Sequence, residues 1–407
     1  MKKEVHMNRE EKALLAALAA FIKRDNLRLP ADLDWSRLYR LAKAHAVAPI
    51  LYRSLRSTPE IVTDAQMMQE FGRAYDEAIF LAVRQQYEMD GILTALNQKK
   101  IPHILLKGCY LMQFYPVREL RTMSDIDILV PPKYHRAAGR ALEELGFSLG
   151  NQEGNTWNYR RNVVEIELHS SLSEGRYWHS VDAEEYFKGC FQHTVEGALP
   201  YTRYLTPEYH FVYMIFHLAK HFEATGAGVR MFLDVAVCMD RFREEMDWDL
   251  VFRELRKLKL DGFFRRVMLL VSVWFHVRPV RADRMALSED ELRAVTRYVL
   301  EGGVYGMEKR DLGTIILRRG VKRGRSNGSR QIRMRALWGY LFPERAYMRR
   351  YLKAVDRTPL LLPAAWAIRC WEGLFRRRKS TLAHLRQLQS GTGEALRQDH
   401  ILEAMGL

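Results

Sequence analysis

Apolar residues recur along this chain with two different periods, and the change of period divides it. The first stretch is helical. Asp34 precedes Trp35, Leu38, Leu41 and Ala42, an N-cap followed by one apolar face. A proline-free run from Asp64 to Leu96 places Met67, Phe71, Tyr75 and Ile79 along one side of a long helix. Between about 99 and 205 the segments shorten. HILL, His103 to Leu106, reads as a buried strand, and Gly108 opens a short helix through Phe114. Ile126 to Val130 is a strand stopped by Pro131 and Pro132, and Lys133 to Leu145 is a helix closed by Gly146. A hairpin follows from Thr156 to Arg161 and Val163 to His169, turning near Asn162, with a last strand over Tyr201 to Leu205. That order predicts a small mixed sheet.

Beyond Leu205 the helical period returns. Thr206-Pro207-Glu208 supplies an N-cap with proline at the first helical position, launching EYHFVYMIFHLAKHF. Further helices are expected over Val229 to Arg241 and, buried, through Val267 to Phe275. Breaks fall near Pro279 and at the polar GRSNGSR segment, which reads as an exposed loop. The expected fold is therefore α+β, with a helical domain over 1–98, a small mixed-sheet core over 99–205, and a helical domain over 206–407 that ends in a basic tail.

Composition narrows the class. With 407 residues, 48% hydrophobic and 28% charged, the chain is globular and large enough for two or three domains. The amino terminus, MKKEVHMNREEK, lacks the apolar stretch of a secretory signal, and no window reaches the ~18 apolar residues of a spanning helix. Cys109, Cys190, Cys238 and Cys370 lie far apart without a CxxC pair, so neither a disulfide framework nor a zinc site is indicated. A cytoplasmic enzyme is the expectation.

Net charge, +15, changes the picture further. Basic residues cluster at Arg318–Arg335 and in RRRK at Arg376–Lys379, where they attract nucleic acid, an anionic membrane surface or a phosphorylated substrate, or form a solvated face. PLLLPAAWAIRCWEGLFRRRK has the look of an interfacial amphipathic helix, although core packing with a charged exit fits it as well.

The candidate chemistry lies in the middle region. Alternate strand residues share a face, so Asp125 and Asp127 in SDIDILV are expected to project together while Ile126 and Ile128 point to the core. Paired carboxylates repel unless a cation lies between them, and such oxygens suit Mg²⁺ with substrate phosphates. In VVEIELH the alternation puts Glu165, Glu167 and His169 on one face, which adds a third carboxylate if the strands are neighbours. Lys107 and Gly108 sit between strand and helix, where a phosphate can be received, and Arg121 adds positive charge. His217 and His221 share a helical face, suited to a metal, a phosphate or plain packing; the sequence lacks the glutamate of a zinc-protease motif. Arg230 and Asp234 are spaced for an ordinary helical ion pair, and His45 is read as structural.

LLKGCYLMQFYPVRELRTMSDIDILV, followed by VEIELH, resembles the nucleotidyltransferases of the DNA-polymerase-β-like superfamily. The resemblance extends over most of residues 30 to 245. It implies a nucleotidyltransferase core flanked by helical domains. Asp125, Asp127 and Glu167 would be catalytic metal ligands, with Glu165 the competitor for the third place. Lys107 and Gly108 would fall on the phosphate-cradling loop with Arg121 beside it, and His217 and His221 would line the cleft. It further implies Mg²⁺ or Mn²⁺ as cofactor and an NTP, ATP first, as substrate. The acceptor is a hydroxyl-bearing molecule the sequence does not name. The chain departs from the pattern in placing Cys109 where serine or another small residue usually follows the glycine. A catalytically silent NTP- or nucleic-acid-binding module and a γ-phosphotransferase are the alternatives.

Overall fold

The computed structural model describes residues 7–30, 32–56, 64–175, 177–178, 181–281, 287–303, 317, 329–343, 345–348, 352, 358–375 and 392–407. The chain divides into two compact units, Met1–Gly306 with Gly406–Leu407, and Met307–Met405. The first holds the sheet and the helices before and after it. It opens with α1 (Arg9–Lys23), α2 (Trp35–Ala44), α3 (Ala48–Leu55) and α4 (Ala65–Gln98). Local chemistry sets these starts. Asn8 and Glu11 form a reciprocal cap on α1, and the Asp34 and Asp64 carboxylates accept from the third residues of α2 and α4.

Seven strands follow in one mixed sheet, in the spatial order β3-β4-β5-β2-β1-β7-β6. They are β1 (His103–Leu105), β2 (Ile126–Leu129), β3 (Ser148–Glu153), β4 (Thr156–Arg161), β5 (Val164–His169), β6 (Thr194–Glu196) and β7 (Thr202–Leu205). The short helices α5 (Lys107–Leu111), α6 (His135–Glu144) and α7 (Ala183–Phe187) lie between them in sequence. β2 is antiparallel to β1 and parallel to β5. A parallel neighbour cannot be joined by a tight turn, and the connection from β2 to β5 uses α6 and the hairpin partner β4.

The alternation expected of β5 is present: Val164, Ile166 and Leu168 are buried, while Glu165, Glu167 and His169 are not. The apolar side of the sheet, with Ile126, Ile128, Ile166 and Leu168, packs on Met89, Ile92 and Leu96 of α4 and on Ala138, Ala141 and Leu142 of α6. β2 is buried along its whole length, acid included. That confines the polar positions of β2 and β5 to the other face.

After the sheet come α8 (Pro207–Ala224), α9 (Val229–Arg241), α10 (Trp248–Lys257), α11 (Asp261–Phe275) and α12 (Glu289–Leu300). Thr206 caps α8 with Pro207 in the first turn, as the sequence suggests. Val267 to Phe275 lies in α11, which is buried at Val267–Val271, Trp274 and Phe275. His45 is structural. Its ring, fully buried, bonds the Leu300 carbonyl through Nε2 and accepts from the Val229 N–H at Nδ1, joining α2, α9 and α12.

Two strands are absent from the sequence reading. β3, SLGNQE, carries one large apolar residue, Leu149, and that residue is exposed; β6 is three residues long. Neither has an alternation to detect. The second unit contains α13 (Ser329–Leu341), α14 (Arg345–Met348), α15 (Leu362–Phe375) and α16 (Thr392–Met405). Of the expected GRSNGSR loop, residues 324–328 lie outside the described residues, as does RRRK at 376–379, and Ser329 already begins α13. No helix among the described residues is long and apolar enough to cross a membrane.

Candidate active site

The polar face of the sheet gathers around Asp127. Parallel pairing sets Asp127 level with Glu167, and Leu129 level with His169. The outcome is a cluster in which one ligand atom each from Asp127, Glu167 and His169 lies within 4.8 Å of the others. Asp127 forms the floor at 2% exposure, and the Glu167 side chain, 31% exposed, forms the mouth. Glu165 points elsewhere along the strand, 3.7 Å from Arg160, so Glu167 is the carboxylate that joins Asp127.

Cations approach from two sides. The Lys107 ammonium, at the end of β1, donates to Asp127 Oδ1 at 2.6 Å and stands 3.8 Å from Glu167. His169 Nε2 is 2.8 Å from the same Asp127 oxygen and 3.3 Å from Glu167. Behind the ring, Thr156 donates its hydroxyl hydrogen to Asn155, which leaves its oxygen to accept from His169 Nδ1 at 2.9 Å. Both ring nitrogens thus face acceptors. Burial works against a charged His169, but hydrogen bonds to Asp127 and Glu167 outweigh it and hold its pKa above the ordinary value. Burial likewise opposes charge on Asp127, yet Lys107 and His169 prevail and keep its carboxyl well below the usual range. Burial opposes the Lys107 charge too, and Asp127 overcomes it, so the ammonium stays protonated.

Asp125 is placed differently from its expected twin. It precedes the first residue of β2 and lies outside the three-residue cluster. It remains within its electrostatic reach. Burial, then Asp127 and Glu167, push its pKa up to about 6, the response of a carboxyl crowded by like charge.

The approach to β2 is tied down from several helices. Arg121 grips Asp234 of α9 with two bonds, Nε at 3.1 Å and Nη2 at 2.7 Å, and donates to the Thr122 carbonyl. The Tyr115 hydroxyl donates to Asp234 as well. Arg230 donates to Thr122 from the same helix, and Gln85 of α4 to the Met123 carbonyl. Asp234 thus takes Arg121, 113 positions away in sequence, while Arg230 donates to Thr122. The Arg121 guanidinium, expected beside the phosphate loop, holds this segment through these bonds.

Gly108 has a packing reason. A Cβ there would come within 2.6 Å of Arg121 Nη1 and of Met123. Its neighbour Lys107 has a positive φ of 48°, a conformation costly for a residue with a side chain. α5 is only five residues long, so the ammonium of Lys107, and not a helix dipole, is the feature here suited to phosphate. Cys109 is buried, its thiol pushed up to about 12 by burial and by Asp127.

α8 supplies a second wall. Burial and the Lys107 charge hold His217 well below its ordinary pKa and His221 at about 4, so both rings are neutral. The two rings meet edge to face with centroids 4.4 Å apart. Tyr213, one turn earlier, feels Lys107, Asp127 and Glu167 in turn, which sets it on the same side. Sequence reasoning placed His169 only as one of three polar positions in β5 and passed over Tyr213. The spacing of Tyr213, His217 and His221 along one helical face was the available signal.

Searches among curated proteins and among solved structures return no match. Residues 31–276, more than half of the chain and including every residue of this site, match the model of a family described as uncharacterised nucleotidyltransferase, and the chain belongs to that family.

Proposed function

We propose that the chain transfers a nucleoside monophosphate group from an NTP, ATP in the first instance, to a hydroxyl-bearing acceptor, with Mg²⁺ or Mn²⁺ as cofactor. The observation that carries this reading is the level pairing of Asp127 with Glu167 across adjacent parallel strands, with Lys107 beside both. On the same reading the sheet over 99–205 is a polymerase-β-like core, and the helices over 1–98 and from 206 onward flank it.

The donor set fits a divalent cation: two carboxylates and an imidazole nitrogen that already converge, with a third carboxylate nearby. Asp127 and Glu167 would hold the ion, with Asp125 as a further oxygen donor; His169 would ligate only on giving up the Nε2 proton that it shares with Asp127. Bound there, the metal supplies counter-charge for the triphosphate and acidifies a coordinated hydroxyl.

The chain's own groups divide the rest of the work. Lys107 is a permanently charged donor at the rim, positioned to neutralise phosphate oxygens. His169 fixes the orientation of Asp127. Glu167, the most exposed of the cluster, accepts the proton of the acceptor hydroxyl as its oxygen bonds to the α-phosphorus and the bond to pyrophosphate breaks. The neutral imidazoles of His217 and His221 offer nitrogens to a phosphate or to the acceptor.

Incubation with α-labelled and γ-labelled ATP, Mg²⁺ and cell extract tests this. Label moving from the α-position to an acceptor, and lost in Asp127→Asn, is the expected result. Transfer from the γ-position alone would establish a phosphotransferase, and ATP binding without transfer a silent module.

A further inference from the structure

The charge of this protein is segregated. Of its +15, the unit Met307–Met405 carries +14, with 22 lysines and arginines against eight acids. All remaining residues together are nearly neutral. The same unit displays apolar side chains in a row. Along the segment that leads into and through α15, Leu360, Ala364, Ile368 and Trp371 recur at helical spacing and are all exposed, Leu360 at 88%, Ile368 at 41% and Trp371 at 65%. The opposite side of the helix is packed: Ala365 is buried, Trp366 donates to the Pro343 carbonyl, and its ring meets Phe342. α13 repeats the arrangement with Met334 at 64% and Trp338 at 67% exposure. Phe342 touches both Trp338 and Trp366, so the two helices belong to one body.

Exposed aliphatic residues in a helical row, with tryptophans among them and basic residues around them, match one environment well. Tryptophan and leucine lie at the boundary between headgroups and acyl chains, while arginines hold anionic headgroups. We propose that the 307–405 unit docks on an anionic lipid surface through this face, peripherally. A nucleic acid would use the charge but has no use for exposed leucine and isoleucine. A second copy of the chain would bring +14 against +14. Charge disfavours the second copy and the exposed apolar row disfavours the nucleic acid, so the two together select the lipid.

The test uses the full chain in co-flotation with vesicles of phosphatidylcholine alone or containing phosphatidylserine, and with a single-stranded RNA as competing polyanion. Binding is expected to the phosphatidylserine vesicles only, weakening as salt rises. Ile368→Glu with Trp371→Glu should weaken it about tenfold or more. Arg333→Gln with Arg345→Gln should weaken it about thirtyfold, about fivefold for each charge removed. Phe80→Glu, on the exposed side of α4 in the other unit, should change nothing. Because the altered residues are exposed, circular dichroism should match the parent chain, and the arginine pair gives a second, independent reading. Failure to float with anionic vesicles, or flotation that the Ile368/Trp371 pair does not alter, overturns the proposal. RNA binding without flotation would assign the charge to nucleic acid, and self-association abolished by the same pair would assign the face to a dimer.

Discussion

Asp127 is the residue on which the other charges depend. Its oxygen takes both Lys107 and His169, so removing either partner leaves a buried carboxylate less well matched. Lys107→Met should cost about 3 kcal/mol by chemical denaturation, the order found when a buried pair loses one member. A cycle with Asp127→Asn should show the two changes to be strongly non-additive. Asp125 behaves in the opposite sense. Its folded pKa of about 6 exceeds the ordinary 3.8, so the folded chain retains a proton that the unfolded chain releases. Ionised Asp125 therefore destabilises the fold fully above pH 6 and not at all below about 4. Asp125→Asn is expected to raise the melting temperature in chelator at pH 7 to 8, by about 1–3 kcal/mol of stability, with the gain vanishing near pH 4. A gain that persists there would contradict this account. Gly108→Ala should cost about 1–3 kcal/mol, since its methyl would displace Arg121 from Asp234.

Elements explain how much of this was legible in the sequence. β5 was readable because its alternation is complete, and Asp127 because an acid within an apolar strand needs a partner. The partners were not readable. Lys107, Asp127 and His169 come from or adjoin three strands, and their meeting depends on register, which the polar pattern of one strand cannot supply. The link from Arg121 to Asp234 likewise crosses from a loop to α9, while the local spacing pointed to Arg230. β3 and β6 left no periodic trace at all. Helix junctions carry a pH dependence of their own. His45 receives the Val229 N–H on one nitrogen and serves Leu300 with the other, so it cannot gain a proton without losing an acceptor. Burial lowers its pKa to about 4, that of His221 to about 4 and that of His210 to about 3. Between pH 6.5 and 4 the unfolded chain takes up protons that these rings refuse, and stability falls as the pH falls, by an order of 3 kcal/mol for His45. Asp125 pulls the other way over part of this range, but the histidines outnumber it. Melting temperatures across the window check the sign, and His45→Gln should flatten part of the slope.

At the scale of the whole molecule, two features divide the protein: the catalytic candidates lie in the unit Met1–Gly306 and nearly all net charge in Met307–Met405. Retention on a cation exchanger should follow the second unit. Exchanging two of its arginines for glutamine should move elution to lower salt, whereas Arg140→Gln with Arg160→Gln in the first unit should move it less. An equal shift from both pairs would show that the segregation has no electrostatic consequence.

The parallel match of β2 to β5 sets a rule for what this chain can tolerate. Turns at Gly154 or Asn162 are places where length can vary, because the strands on either side keep their alignment. Slipping β5 by a single residue against β2 is a different matter: it would bring Ile166 round to the polar face and drive Glu167 into the packed side against α4. Chemistry here is a property of counting, and a frame lost by one position would silence the protein even with every functional side chain still present.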